Sequence, residues 1–196
     1  VRCILLPLNP LLETKLFNMR RFITSHFYWF NLVWFQLIWF VAVFFTDKGQ
    51  IFLILSLLLH FYLSPNRKYD LASLITITLV GGAVDLLLSR LGLMIFPQAV
   101  LLPVWLVLLW AHFAVALNHG MSWLNKIPVY FQIVFGGLFG PLSYYAGYKF
   151  GAVDFPLSDL QTLFTLIVIW SILLPVYLLI SRSYGDRYDD SKQKSS

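Results

Sequence analysis

Six apolar stretches alternate with short polar breaks along the chain. The first runs from Phe27 to Phe45 and stops at Thr46-Asp47-Lys48-Gly49, and the second, Ile51 to Leu63, is closed by Ser64-Pro65-Asn66-Arg67-Lys68. The third is Leu71–Leu91, ended by Gly92 to Gln98, and the fourth is Ala99–Leu117, ended by Asn118-His119-Gly120. The fifth is Ile127–Ala146 and the sixth Leu160–Ile180, after which a polar tail reaches Ser196. About 20 residues at ~1.5 Å each cross a hydrocarbon core, so five stretches have the length of a transmembrane helix. The second is shorter, with a re-entrant hairpin as its alternative. The predicted fold is all-α: an integral membrane bundle of six helices over residues 27–180. Segment 1–26 lies before it and a disordered tail, 181–196, after it.

Composition agrees with that reading. Hydrophobic residues make up 59% of the 196 positions and charged residues 12%, too much apolar surface for one soluble core. The net charge of +5 forms no patch; Lys and Arg fall between the apolar runs and at the ends, so no nucleic-acid partner is expected. Cys3 is the single cysteine, which excludes an internal disulfide and a thiolate metal cluster. Near the start, Pro7, Pro10 and Glu13 precede Met19-Arg20-Arg21-Phe22, a basic flank before the first apolar run. Residues 1–18 are read either as an over-extended start, with translation beginning at Met19, or as a cytoplasmic leader.

Charge placement decides the number of crossings. With six spans and the N-terminus inside, Arg2, Lys15, Arg20, Arg21, Arg67, Lys68, Lys126, Arg182, Arg187, Lys192 and Lys194 are cytoplasmic. Lys48, Arg90 and Lys149 are outside, so all 14 basic residues divide strongly towards the interior. Removing the second span sends Lys48, Arg67, Lys68, Lys126 and the tail outward and erases the bias. Six crossings with both termini cytoplasmic follow.

Asp85 is the acid embedded in a long apolar run, Gly81-Gly82-Ala83-Val84-Asp85-Leu86-Leu87-Leu88. A charged group at such depth costs roughly 2.5–3.5 kcal/mol on insertion scales, so it must face protein or a wet cavity. It can serve as a proton relay, cation site or general acid, or as a packing hydrogen bond. About 14 residues into the third helix, it shares a level with Gly140-Pro141 of the fifth, where Pro141 should free a carbonyl and kink the helix. Tyr144 and Gln36 are its expected neighbours, and Gly136 with Gly140 makes a small-xxx-small face. His112, Ala116 and His119 share one face of the fourth helix, and His119 adjoins Asn118 at its end. Two histidines seven apart cannot share a metal without another helix, and no His-Glu-x-x-His is present, so no metal and no cofactor are expected. His26 and His60 are read as membrane-end residues, Asn31 and Gln36 as interhelical hydrogen-bonders, and the deep tryptophans Trp34, Trp39, Trp105, Trp110 and Trp170 as lipid-facing bulk or pocket wall.

Several strings taken together resemble a family. They are Asn31-Leu32-Val33-Trp34-Phe35-Gln36, Asp85 followed by Leu91-Gly92-Leu93-Met94-Ile95-Phe96, Pro103-Val104-Trp105-Leu106, Leu117-Asn118-His119 and Gly140-Pro141-Leu142-Ser143-Tyr144-Tyr145-Ala146-Gly147. Over roughly 27–180 the chain resembles the small bacterial inner-membrane proteins grouped as domain of unknown function 2878. The resemblance implies an inner-membrane, multi-pass location and, through neighbouring genes for fatty-acyl modification in some proteobacteria, points towards lipid. Membrane lipids are thus the expected partners, with other membrane proteins second. Three functions stay open: a non-enzymatic accessory or transporter-like component handling acyl lipids, a lipid-modifying enzyme using Asp85 or His119 as acid or base, and a proton-coupled transporter.

The charge count predicts that a reporter active only in the cytoplasm works when fused after Ser196. A reporter active only in the periplasm should work within 47–50. A periplasmic C-terminus is incompatible with six crossings that begin in the cytoplasm.

Overall fold

The computed structural model describes residues 29–64, 66–97 and 101–193. Segment 1–26, with Cys3, the Met19 start and His26, lies outside the described residues. Helix α1 covers residues 29–45 and leads through a 3-10 turn, Thr46–Gly49, into α2, Gln50–Leu63. Then come α3 (Arg67–Arg90), α4 (Val104–Asn118), a 3-10 turn at Ser122–Lys126, α5 (Val129–Lys149) and α6 (Asp159–Gln193). Among the described residues there is no strand; a single bridge pairs Ile95 with Asp154.

Three helical stretches among the described residues are long and apolar enough to cross a membrane: Trp29–Leu63, Arg67–Arg90 and Asp159–Arg187. The first is folded back on itself. The Trp34 indole N–H donates to Ser56 Oγ at 2.9 Å across 22 positions of sequence. A straight helix would set those residues ~33 Å apart. The reversal is at Thr46, whose φ of 45° is left-handed and cannot continue a helix. The break expected at Thr46–Gly49 is therefore a turn between two antiparallel helices.

Local chemistry accounts for the other ends. Pro103 and Pro128, which have no N–H to satisfy, immediately precede α4 and α5. Helices α3 and α5 both finish on a glycine with positive φ, Gly92 at 71° and Gly151 at 77°. In each case the next residue's N–H reaches back five positions, Leu93 to Leu88 and Ala152 to Gly147, and the glycine N–H reaches back three. This is the Schellman closure, which satisfies the carbonyls left over at a helix end. The two loops that follow are stitched together by Ile95 N–H to Asp154 O at 2.9 Å and Asp154 N–H to Ile95 O at 2.7 Å.

Packing is arranged for an apolar solvent. On α3 the buried stripe is Asp70, Ser73, Ile77, Gly81, Asp85 and Leu88, at helical spacing. Its outward face carries Leu71, Ile75, Leu79 and Leu87, with Leu79 67% exposed. Small and polar residues inside with leucine outside is the arrangement of a helix in lipid. The chain is a membrane protein of the all-helical class. Contacts between Ser73 and Asn118, and between Asp85 and Trp110, make α3 and α4 antiparallel. Tyr145 near Asp159, and Gly136 against Trp170 and Leu174, do the same for α5 and α6.

One expectation changes. Residues 181–193 form no disordered tail but the continuation of α6. Ser181 and Tyr184 anchor it to α3 through Tyr69 (3.0 Å) and Thr76 (2.9 Å), which a composition-based reading cannot see. Helix α5 runs on as helix through Pro141.

Packing is tight at Gly81 and Gly140. A Cβ on Gly81 would lie 2.5 Å from the Trp110 ring, and one on Gly140 would lie 2.2 Å from the Trp170 ring. Gly81→Ala and Gly140→Ala should each destabilise the fold by roughly 1–3 kcal/mol, as overpacked cores do. Gly82→Ala, whose Cβ would meet Leu102 at an ordinary 3.5 Å, should not. Thermal unfolding in detergent, followed by tryptophan fluorescence, tests this; equal midpoints for all three would show slack at the indoles.

Candidate functional site

Asp85 points into the bundle and is 1% exposed. Each carboxylate oxygen receives one donor. Tyr144 Oη–H donates to Oδ1 at 2.6 Å, and Trp110 Nε1–H donates to Oδ2 at 2.7 Å. The predicted meeting of Asp85 with Tyr144 at the Gly140-Pro141 level is thus present in the fold. Trp110 was read only as a deep aromatic, yet it is the second partner. Gly81, one turn before Asp85, leaves room for that indole to lie against α3. Trp110 stacks on Trp170 with centroids 5.7 Å apart and planes 8° apart, and Trp170 lies over Gly140. Tyr177 meets the edge of the Trp110 ring at 5.5 Å.

Trp110 and Tyr144 also form the wall of a cavity of about 580 Å³ between α1, α4, α5 and α6. Other lining residues include Gln36, Trp39, Trp105, Phe139 and Trp170. Polar groups on the wall are few: Gln36, Ser143 and Tyr144, together with the indole N–H groups. Gln36 makes no hydrogen bond to Asp85; it is exposed and lines this space. Trp39 Nε1–H donates to Ser143 Oγ at 2.7 Å, joining α1 to α5. Phe139 and Leu142 line the cavity while 57% and 55% exposed, so it opens sideways on the apolar flank of the bundle. Its ends are covered by Phe96, Ala152 and Val153 on one side and Met121 and Leu124 on the other.

A second polar centre lies at the opposite end of α3. Asp70 is fully buried and accepts from four side chains. His60 Nε2 is 3.1 Å from Oδ2, and Ser64 Oγ–H donates to the same oxygen at 2.5 Å. Asn118 Nδ2–H donates to Oδ1 at 3.0 Å, and His119 Nε2 lies 2.9 and 3.0 Å from the two oxygens. Asn118 Oδ1 accepts in turn from Ser73 (3.0 Å) and Ser181 (2.8 Å). One carboxylate therefore ties α2, α3 and the end of α4, and through Asn118 also α6. Asn31 joins α1 to this end by accepting the Gly120 N–H at 3.3 Å. Gly120 is obligatory there, since a Cβ would stand 2.7 Å from Leu32 N.

Asp70 is the site residue that sequence reasoning missed. It sits one residue before the apolar run and looked like a polar flank. The signal was its spacing, on one face of α3 with Ser73, Ile77, Gly81 and Asp85. His60, read as a membrane-end residue, belongs to the same centre. So does His119, and the further helices that a shared metal would require are α2 and α3 rather than a second histidine of α4: His60, Asp70 and His119 offer three ligand atoms within 4.8 Å of one another. His112 stands apart. Its Nδ1 faces the Leu108 carbonyl at 2.8 Å, so Nδ1 carries the proton. Nε2 then accepts from Ser56 Oγ–H at 3.1 Å, and Ser56 accepts from Trp34.

The Asp85 geometry predicts an asymmetry between two variants. In Asp85→Asn the amide oxygen accepts from Trp110, and the amide N–H₂ donates to Tyr144, whose hydroxyl turns from donor to acceptor. The midpoint of thermal unfolding should stay close to wild type. Asp85→Leu strands both donors, at about 1–3 kcal/mol per buried group, and should lower it markedly. Equal behaviour of the two variants would show that these hydrogen bonds are not what holds the site.

One family matches the chain, over residues 28–176, and is described as Protein of unknown function (DUF2878). No curated protein and no solved structure matches it.

Proposed function

Since the chain belongs to this family of proteins of unknown function, which has no reaction to transfer, we propose from the geometry that it holds an acyl lipid in the cavity beside Tyr144. It does so as a non-enzymatic, accessory or transporter-like component of the bacterial inner membrane. One observation carries this reading: the cavity is walled by aromatic rings, has few polar groups and opens on the flank that faces lipid. About 580 Å³ lies within the ~300–1,000 Å³ usual for small-molecule sites. Gln36 and Ser143 would meet the polar end of the ligand, and the rings would meet its chain.

The alternatives draw less support. An enzyme using Asp85 would need a base beside it, but its partners are an indole and a phenol, and one using His119 would act at the Asp70 end of α3, away from the cavity lining. A proton-coupled transporter would need a wet path to Asp85, and Trp110 and Tyr144 stand between it and the cavity. Six crossings complete the proposal. Arg67, Lys68, Lys126, Arg182 and Arg187 gather at the Asp70 end, and Lys48, Arg90 and Lys149 at the other, which favours the Asp70 end as cytoplasmic.

The test is photolabelling in nanodiscs with a phospholipid carrying a diazirine on its acyl chain. Adducts should map to residues 32–43 and 135–147, and Ala146→Phe, which fills the cavity, should reduce them several-fold. Labelling confined to outward residues such as Leu79 and Leu160 would refute lipid occupancy.

A further inference from the structure

We propose that His60, Asp70 and His119 form a binding site for one divalent transition-metal ion of the zinc type, separate from the lipid cavity. Three elements converge to supply the ligands: α2 gives His60, α3 gives Asp70 and the end of α4 gives His119. Both histidines present the same ring atom, Nε2, to one carboxylate, at 3.1 and 2.9 Å. Ligands ~2.0–2.1 Å from a tetrahedral zinc stand about 3.3 Å apart, close to the two histidine–carboxylate separations, and the three ligand atoms all lie within 4.8 Å of one another. Two imidazoles and a carboxylate, with no thiolate, make a donor set that suits zinc and its neighbours rather than magnesium or calcium. They leave a fourth position for water.

Three further features fit a metal site. A ligating carboxylate is normally held by outer hydrogen bonds, and here Asn118 (3.0 Å) and Ser64 (2.5 Å) hold the two oxygens. Asn118 is itself fixed by Ser73 and Ser181, from two helices. The charge balance also asks for a cation. Asp70 is fully buried, and among the described residues its ion-pair partners are the two histidines, with no Lys or Arg. A divalent ion compensates that carboxylate while both imidazoles stay neutral. His60, with 11% of its side chain exposed, gives a way in.

The full-length protein, purified in detergent, chelator-treated and dialysed, is titrated with zinc chloride and with cobalt chloride. Multi-element mass spectrometry should return one zinc per chain. Cobalt should give the visible absorption of a four-coordinate nitrogen–oxygen site, and zinc should raise the thermal midpoint. His60→Gln and His119→Gln should abolish binding, and Asn118→Ala should weaken it about 10- to 100-fold. His112→Gln, outside the site, should keep it. No zinc-dependent shift and no bound metal in the wild type would overturn the proposal, whether or not the variants fold. So would retention of zinc in both ligand variants.

Discussion

Helix α3 buries two carboxylates out of reach of water, and the rest of the bundle is organised around that constraint. A buried carboxylate left without donors is costly, so those that Asp70 and Asp85 need must come from elsewhere in the protein. Asp70 draws on α2, on the loop after it and on the end of α4; Asp85 draws on α4 and α5. Helix α3 is thereby obliged to sit inside, and its neighbours are held in register by groups 15 positions apart along its axis.

Between those acids the packing is aromatic on glycine. Trp110 rests on Gly81 and Trp170 on Gly140, with the two indoles stacked face to face between helices α3 and α5. Such a layer has little freedom, because each ring is backed by a backbone that cannot recede. It sets the spacing of α3 from α5, and with it the reach of Tyr144 to Asp85. The same rings form the wall of the cavity, so the polar contact and the apolar space share one rigid partition.

Much of this was legible in the sequence, and the remainder was hidden for identifiable reasons. Hydrophobic runs and their breaks marked the helices closely, because in lipid the length of an apolar run is a direct physical requirement. Asp85 and Tyr144 could be matched because both lie on helices entering from the same side, where residue count measures depth. Asp70 could not be found that way. Its partners, His60, Ser64, Asn118 and His119, sit at helix ends, where polar residues are common and their convergence depends on how three turns are closed. Trp110 was ambiguous because an indole is both bulk and a donor, and only Gly81 beneath it decides which. The helical extension to Gln193 was masked by a polar composition that tertiary contacts through Ser181 and Tyr184 override.

The stitched loops at Ile95 and Asp154 have a consequence for exchange. They bring Phe96, Ala152 and Val153 over one end of the cavity, while Met121 and Leu124 cover the other. On the proposed reading, a molecule inside would exchange with the bilayer through the apolar flank, and its effective concentration would be its mole fraction among the surrounding lipids, which is high for any abundant species. Occupancy would then follow membrane composition with only weak intrinsic affinity, and the Trp39–Ser143 hydrogen bond, part of the cavity wall, would bear on how quickly it does so.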